Sequence, residues 1–220
     1  TEIYTLSLHD ALPISTNIME NHSKIDKSKI FVLGHSLGSF VLPRIAQKND
    51  KIAGFISVAG PTRPLEDLIL EQTKYIYMID GKISTDEKKE LCSLEAAIKE
   101  IKNIQPDGKL TSIMFGACGK YWLDVKGYNP AEEAKKILKP WYIIQGKRDY
   151  QVTMEDFKGW EKSLKDRKDV KFKVYDNLNH ILISGKGKSL PAEYSKQGNV
   201  EFSLIKDIEN WIKSQTEKSK

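Results

Sequence analysis

Short apolar runs alternate with amphipathic stretches along this chain. Residues 30–33 are four consecutive apolar side chains ending at Gly34, too few for a helix, and they predict a buried strand. A second run, residues 52–60, closes on Gly60-Pro61, a stop signal. A third, Trp141-Tyr142-Ile143-Ile144-Gln145, opens behind Pro140. Residues 170–175 alternate apolar and polar in the manner of an edge strand. Between these runs the apolar positions fall at helical spacing. Phe40, Val41, Leu42, Ile45 and Ala46 predict a helix that Pro43 should kink. Phe157, Trp160 and Leu164 predict another, and Leu204, Ile205, Ile208, Trp211 and Ile212 a closing one whose tail should fray from Ser214. Asn129-Pro130 with Glu132 and Glu133 behind it reads as a helix start, with Lys135 and Lys136 late in that helix. Strand, helix and strand in repetition imply parallel neighbours, hence an α/β fold.

From Pro64 to about Gly127 the strands cease. Leu65, Leu68, Ile69 and Gln72 mark one helix, and Leu91, Leu94, Ile98 and Ile101 another. An all-helical stretch between two sheet strands is an insertion.

The first strand ends in Gly34-His35-Ser36-Leu37-Gly38, with a helical pattern directly behind it. This is G-x-S-x-G in the context of strand, sharp turn and helix, the arrangement of a nucleophile elbow. A serine in such a turn projects its hydroxyl outward, and Gly34 and Gly38 are expected to spare it a clash with Cβ atoms. The helix start aims the backbone N–H of Leu37 at any anion forming beside Ser36.

The chain resembles the α/β-hydrolases, entered at their central nucleophile strand. Ala59-Gly60-Pro61-Thr62-Arg63-Pro64-Leu65-Glu66-Asp67 and the later segments are similar to bacterial carboxylesterases of the esterase D type, within the group that includes serine aminopeptidase-like and lysophospholipase-like hydrolases. The resemblance implies a hydrolase core over residues 16–63 and 128–214, a helical cap over 64–127 and a frayed tail over 215–220. It also implies a chain order of serine, acid and histidine. Of the four histidines only His180 lies downstream of Ser36, directly behind a strand. Asp149, in the Gly-x-x-Asp loop after the third strand, falls at the family's acid position. Asp124 and Asp176 are less well placed for that part. Ser36, Asp149 and His180 are therefore the expected triad, with Leu37 N–H as oxyanion donor. His35, Arg63 and Trp122 are candidates for lining the substrate, and Arg63 serves equally as a structural ion-pair partner. The expected reaction is hydrolysis of a small to medium carboxylic ester through an acyl-enzyme, a mechanism that needs no cofactor and no metal. Acyl transfer or peptide hydrolysis on the same three residues, and a non-catalytic binding module of the same fold, stay open.

Composition adds exclusions. The 220 residues carry 40% hydrophobic and 30% charged side chains, an ordinary globular balance. The net charge of +5 is scattered among acidic residues, with no basic, aromatic-interleaved stripe for nucleic acid. No run reaches the length of a membrane span. Cys92 and Cys118 have neither metal nor disulfide spacing. Oligomeric state is not legible in the sequence, and a cytoplasmic and a secreted bacterial location stay equally open.

Residues 1–15 can be encoded by DNA that matches, without a break, the arm of a widely used short-read sequencing adapter. They are expected to be an artefact joined to a truncated gene, which removes His9-Asp10 from consideration. The same expectation leaves the family's second oxyanion donor, and the early strands that carry it, upstream of the chain, which makes the chain the C-terminal part of a competent esterase and leaves open whether the fragment is active or inactive by itself.

Overall fold

A computed structural model describes residues 18–106 and 115–217. The adapter-like residues 1–15 lie outside the described residues, as do 218–220 of the expected tail. Four strands form one parallel sheet in the order β1 (Phe31–His35), β2 (Gly54–Val58), β3 (Trp141–Gly146) and β4 (Val170–Tyr175). Strands β2 and β3 are buried along their whole length, so both read as unbroken apolar runs. β4 ends the sheet and keeps the alternation that the sequence predicts, with Lys171 and Lys173 exposed between partly buried Val170, Phe172 and Val174.

The period of two sends alternate side chains to opposite faces. On one face, Ile56, Val58, Tyr142 and Ile144 pack with Leu204 and Trp211 of the closing helix, Phe202–Glu217. That helix continues through Ser214 to Glu217 rather than fraying there, and Ile205 on it is 48% exposed instead of facing the core. On the other face, Phe55 stacks on Trp141 at 4.9 Å, and Trp141 lies 6.0 Å from Trp160. The helices of this layer are α1 (Leu37–Lys48), α5 (Pro130–Ala134) and α6 (Met154–Leu164). The first runs through Pro43 as one helix. A proline removes one N–H bond, and burial of Phe40, Val41, Leu42, Pro43 and Ile45 on the sheet outweighs that loss. Helix α5 stops at Ala134. Lys135 and Lys136 therefore follow the helix instead of forming its last turn, and pair back to Glu132 and Glu133 at 2.7 Å each.

The chain divides into two compact units. One holds Thr1–Thr62, Pro130–Ser189 and Gln197–Lys220, and the other Arg63–Asn129 with Leu190–Lys196. The second unit contains α2 (Leu65–Tyr77), α3 (Thr85–Lys102) and α4 (Gly119–Val125). A capping box starts α3: Glu87 N–H donates to Ser84 Oγ, and Ser84 N–H donates to the Glu87 carboxylate. Leu68, Leu91, Ile98 and Ile101 are buried on these helices. Among the described residues no helix is long and apolar enough to cross a membrane, and no His/Cys/Asp/Glu group is arranged to hold a metal.

The first unit grips the chain where it departs for the second. Buried Asp156 accepts the Thr62 N–H at 2.9 Å through Oδ1, and its own carbonyl accepts the Thr62 hydroxyl at 3.1 Å. Trp160 Nε1–H donates to the Gly60 carbonyl at 2.9 Å. Replacing Asp156 with alanine would strand the Thr62 N–H in the interior, at a cost of about 1–3 kcal/mol. We expect Asp156→Ala to lower the urea unfolding midpoint accordingly, with Asp156→Asn losing less because an amide oxygen still accepts that bond.

Candidate functional site

The strand β1 ends at His35, and Ser36 follows with φ 54° and ψ −121°, a conformation serine adopts only under constraint. Two hydrogen bonds hold it, and a glycine leaves room for it. The Ser36 N–H donates to the Val58 carbonyl of β2 at 2.9 Å, and its carbonyl accepts Phe40 N–H in the first turn of α1 at 3.1 Å. Gly34 presses against the backbone: a Cβ there would lie 2.5 Å from the Gly38 carbonyl carbon and oxygen. Gly38 has a different status, because a Cβ there would meet nothing within 4 Å. Only the first glycine of the motif is sterically required, which corrects the expectation for the second.

Serine is a favoured N-cap, so Ser36 at the start of α1 has a purely structural use available to it. It makes no such bond. Its Oγ lies 3.0 Å from His180 Nε2, and His180 Nδ1 lies 2.8 Å from Asp149 Oδ2. With Nδ1–H donating to the carboxylate, Nε2 is the free acceptor for the serine proton. His180 and Asp149 are both buried, at 6% and 4% exposure, so the pair operates largely out of water.

Asp149 is held from every side. Its Oδ1 accepts the N–H groups of Gln151 at 2.8 Å and Val152 at 3.0 Å, and its Oδ2 accepts Gln145 Nε2 at 3.2 Å. Gln145, buried at the end of β3, also donates to the Val152 carbonyl at 2.8 Å and ties down the acid loop. The sequence reading passed over it, since a single amide inside an apolar run carries no local signal. Arg148 was equally invisible. Its guanidinium donates Nε–H to Gly187 O at 2.8 Å and reaches the Asn177 and Lys186 carbonyls at 3.4 Å each, clamping the loop that bears His180. Gly185 makes room for it, because a Cβ would sit 2.0 Å from Arg148 Nη1. Gly146 likewise lets the histidine loop close in, with Leu178 O only 2.4 Å from where its Cβ would be.

The other candidates are placed as follows. Leu37 opens α1 beside Ser36. His35 is partly buried and donates through Nε2 to the His180 carbonyl at 2.7 Å. Arg63 takes the ion-pair option, with Nη2 2.6 Å from Glu71. Trp122 is buried in the second unit, edge-on to Tyr121 and Phe115. Asp176 is an exposed partner of Lys147 at 2.7 Å, consistent with its lesser standing as an acid.

A helix-flanked parallel sheet with Ser36, Asp149 and His180 behind the carboxyl ends of β1, β3 and β4 has counterparts of known structure. GrgF from Penicillium sp. sh18, titled an alpha/beta hydrolase, superposes with a TM-score of 0.54 at 13% identity, over 94% of this chain and 71% of that one. The chain has the α/β-hydrolase fold. Pyrococcus furiosus esterase Pf2001 matches the chain with a TM-score of 0.50 at 17% identity, over 79% of this chain and 53% of its own. In sequence the chain resembles esterase EstD of Thermotoga maritima, 41% identical over 187 residues, which are 85% of this chain. The chain spans 43% of that relative's length. No protein-family model matches it.

The geometry of the turn and of its neighbours makes two predictions. Gly34→Ala forces backbone apart and should cost about 1–3 kcal/mol in a urea titration. Gly38→Ala should unfold at or slightly above the wild-type midpoint, since helix propensity favours alanine by up to about 1 kcal/mol. The second prediction concerns His35, whose burial pushes its imidazole below the usual 6.5. An unfolded chain takes up a proton below that value which the folded chain resists. The contribution to stability is complete above 6.5 and is lost as pH falls from there through the lowered folded value. Urea midpoints measured from about pH 7.5 to 5.5 should therefore fall more steeply in the wild type than in His35→Gln, which has no such group.

Proposed function

We propose that this chain carries the catalytic residues of a serine carboxylesterase acting through an acyl-enzyme on small to medium carboxylic esters. The observation that carries the reading is the continuous hydrogen-bonded line from Ser36 Oγ through both nitrogens of His180 to Asp149. Similarity to an esterase over most of the chain supports the same chemistry. A serine hydroxyl is a weak nucleophile at neutral pH and needs a positioned base. His180 Nε2 takes the proton as Ser36 Oγ attacks the ester carbonyl. Asp149 fixes the Nδ1–H tautomer and steadies the imidazolium that forms. The backbone N–H of Leu37, at the positive end of α1, holds the developing oxyanion. The imidazolium then protonates the departing alkoxide, and a water activated by the same nitrogen releases the acid. No residue-bound metal enters these steps.

A fluorophosphonate probe reads the reading directly, because it phosphonylates only a serine activated in this way. Labelling of the chain should vanish in Ser36→Ala. It should slow by roughly 10⁴-fold in Asp149→Asn, where the wrong histidine tautomer is favoured. Turnover of p-nitrophenyl acetate and butyrate should fall in parallel. Persistent labelling of the Ser36→Ala protein, with circular dichroism showing it folded, would sink the assignment.

A further inference from the structure

The variable residue of the elbow has a fixed job. His35 directs Nε2 at the main-chain carbonyl of His180, 2.7 Å away, and the two imidazole rings lie 4.8 Å apart at 45°. A carbonyl only accepts, so Nε2 of His35 must carry the proton. Burial disfavours the charged ring, which leaves the neutral Nε2–H tautomer with Nδ1 bare. His35 also precedes Ser36 directly, and its place is set by the parallel register, in which it faces Val58. One strand end therefore fixes the nucleophile and, through His35, the peptide of the base.

The other bonds on the histidine loop hold its flanks. Asn179 Oδ1 accepts Ile183 N–H at 3.0 Å, and Arg148 grips the carbonyls of Asn177, Lys186 and Gly187. The bond from His35 lands on His180 itself. Rotation of that peptide would swing the imidazole, and the 3.0 Å separation of Nε2 from Ser36 Oγ would change with it.

We propose that His35 is a positioning residue for the general base, setting the reach of His180 to Ser36 through the His180 carbonyl rather than by touching substrate. The inference rests on the reading of Ser36 and His180 as nucleophile and base. It differs from the expectation that His35 lines the substrate, and the two make opposite kinetic claims. A substrate contact governs binding, whereas a positioning bond governs the rate once the ligand is bound.

Two measurements test it, one of them independent of activity. Nitrogen-15 correlation spectra of the imidazoles in the full chain should show His35 as the Nε2–H tautomer, its proton hydrogen-bonded. An Nδ1–H ring would overturn the proposal. Fluorophosphonate labelling is then followed against probe concentration, to separate the maximal rate from the half-saturating concentration. His35→Phe keeps the ring's bulk and lacks the donor. Its maximal rate should drop about 10–100-fold while the half-saturating concentration holds within about twofold. His35→Gln, whose amide nitrogen can stand near the Nε2 position, should recover to within about threefold of wild type. His35→Asn, too short to reach, should behave like His35→Phe, and this Gln/Asn pair decides the matter should the phenylalanine variant fail to fold. An unchanged maximal rate, or a raised half-saturating concentration alone, would refute the positioning role. Labelling that is absent in wild type or survives Ser36→Ala would instead refute the catalytic reading, and the tautomer spectrum would still judge the hydrogen bond.

Discussion

At Ser36 the chain leaves a parallel strand with a positive φ, at a cost of order 1–3 kcal/mol for a residue with a side chain. The site depends on the surroundings that oppose relaxation of that turn. The Ser36 N–H is committed to Val58 of the neighbouring strand, and the carbonyl to the first turn of α1. Gly34 passes so close to the Gly38 carbonyl that any side chain at position 34 would drive strand and helix apart. Moving Ser36 to an ordinary conformation would break a sheet bond and a helix bond together. The strain is thus paid by the pairing of β1 with β2, in which His35 faces Val58.

Parallel strands bring their carboxyl ends to one edge of the sheet, and this determines what else can reach Ser36. β3 delivers the acid loop and β4 the histidine loop to the same edge. Burying a carboxylate there would be prohibitive if it were alone. Asp149 is not alone: two backbone N–H groups, the Gln145 amide and the His180 ring saturate its oxygens. These donors come from the acid loop, the end of β3 and the histidine loop, so satisfying the charge also locks three pieces of chain together. Electrostatic need and geometric precision are met by the same bonds.

The strands β2, β3 and β4 and most helices were legible because burial on a sheet leaves an unmistakable pattern. Ser36 was legible for another reason: its turn imposes a demand on the adjacent residues, and Gly34 records it. His180 and Asp149 lie far from Ser36 in sequence, and they were singled out only through chain order and family likeness, not by any local mark. What escaped notice has a common cause. Arg148 and His35 act through backbone carbonyls of another loop, and Gln145 through the Val152 carbonyl as well as the Asp149 carboxylate, and such backbone partners are written in no pattern of side chains. Gly38 misled in the opposite direction, because a local rule overstated what the surrounding packing would enforce. Ile205 did the same, its helical spacing fitting a face that the sheet did not need.

The insertion illustrates how far these constraints extend. It leaves after β2 and returns before β3, between two central strands whose register is unbroken. The departing chain is fastened by Asp156 and Trp160 of α6, and the returning chain enters α5, which packs on α1. Both fastenings belong to the first unit. Within the second unit, α2 and α3 pack side by side with Leu68, Leu91, Ile98 and Ile101 buried, and are joined by exposed ion pairs, Lys74 with Glu95 and Lys102 with Asp67. Exposed pairs of this kind contribute at most about 1 kcal/mol each, so the apolar contacts hold those helices together. The bonds that fix Ser36, Asp149 and His180 all join residues of the first unit.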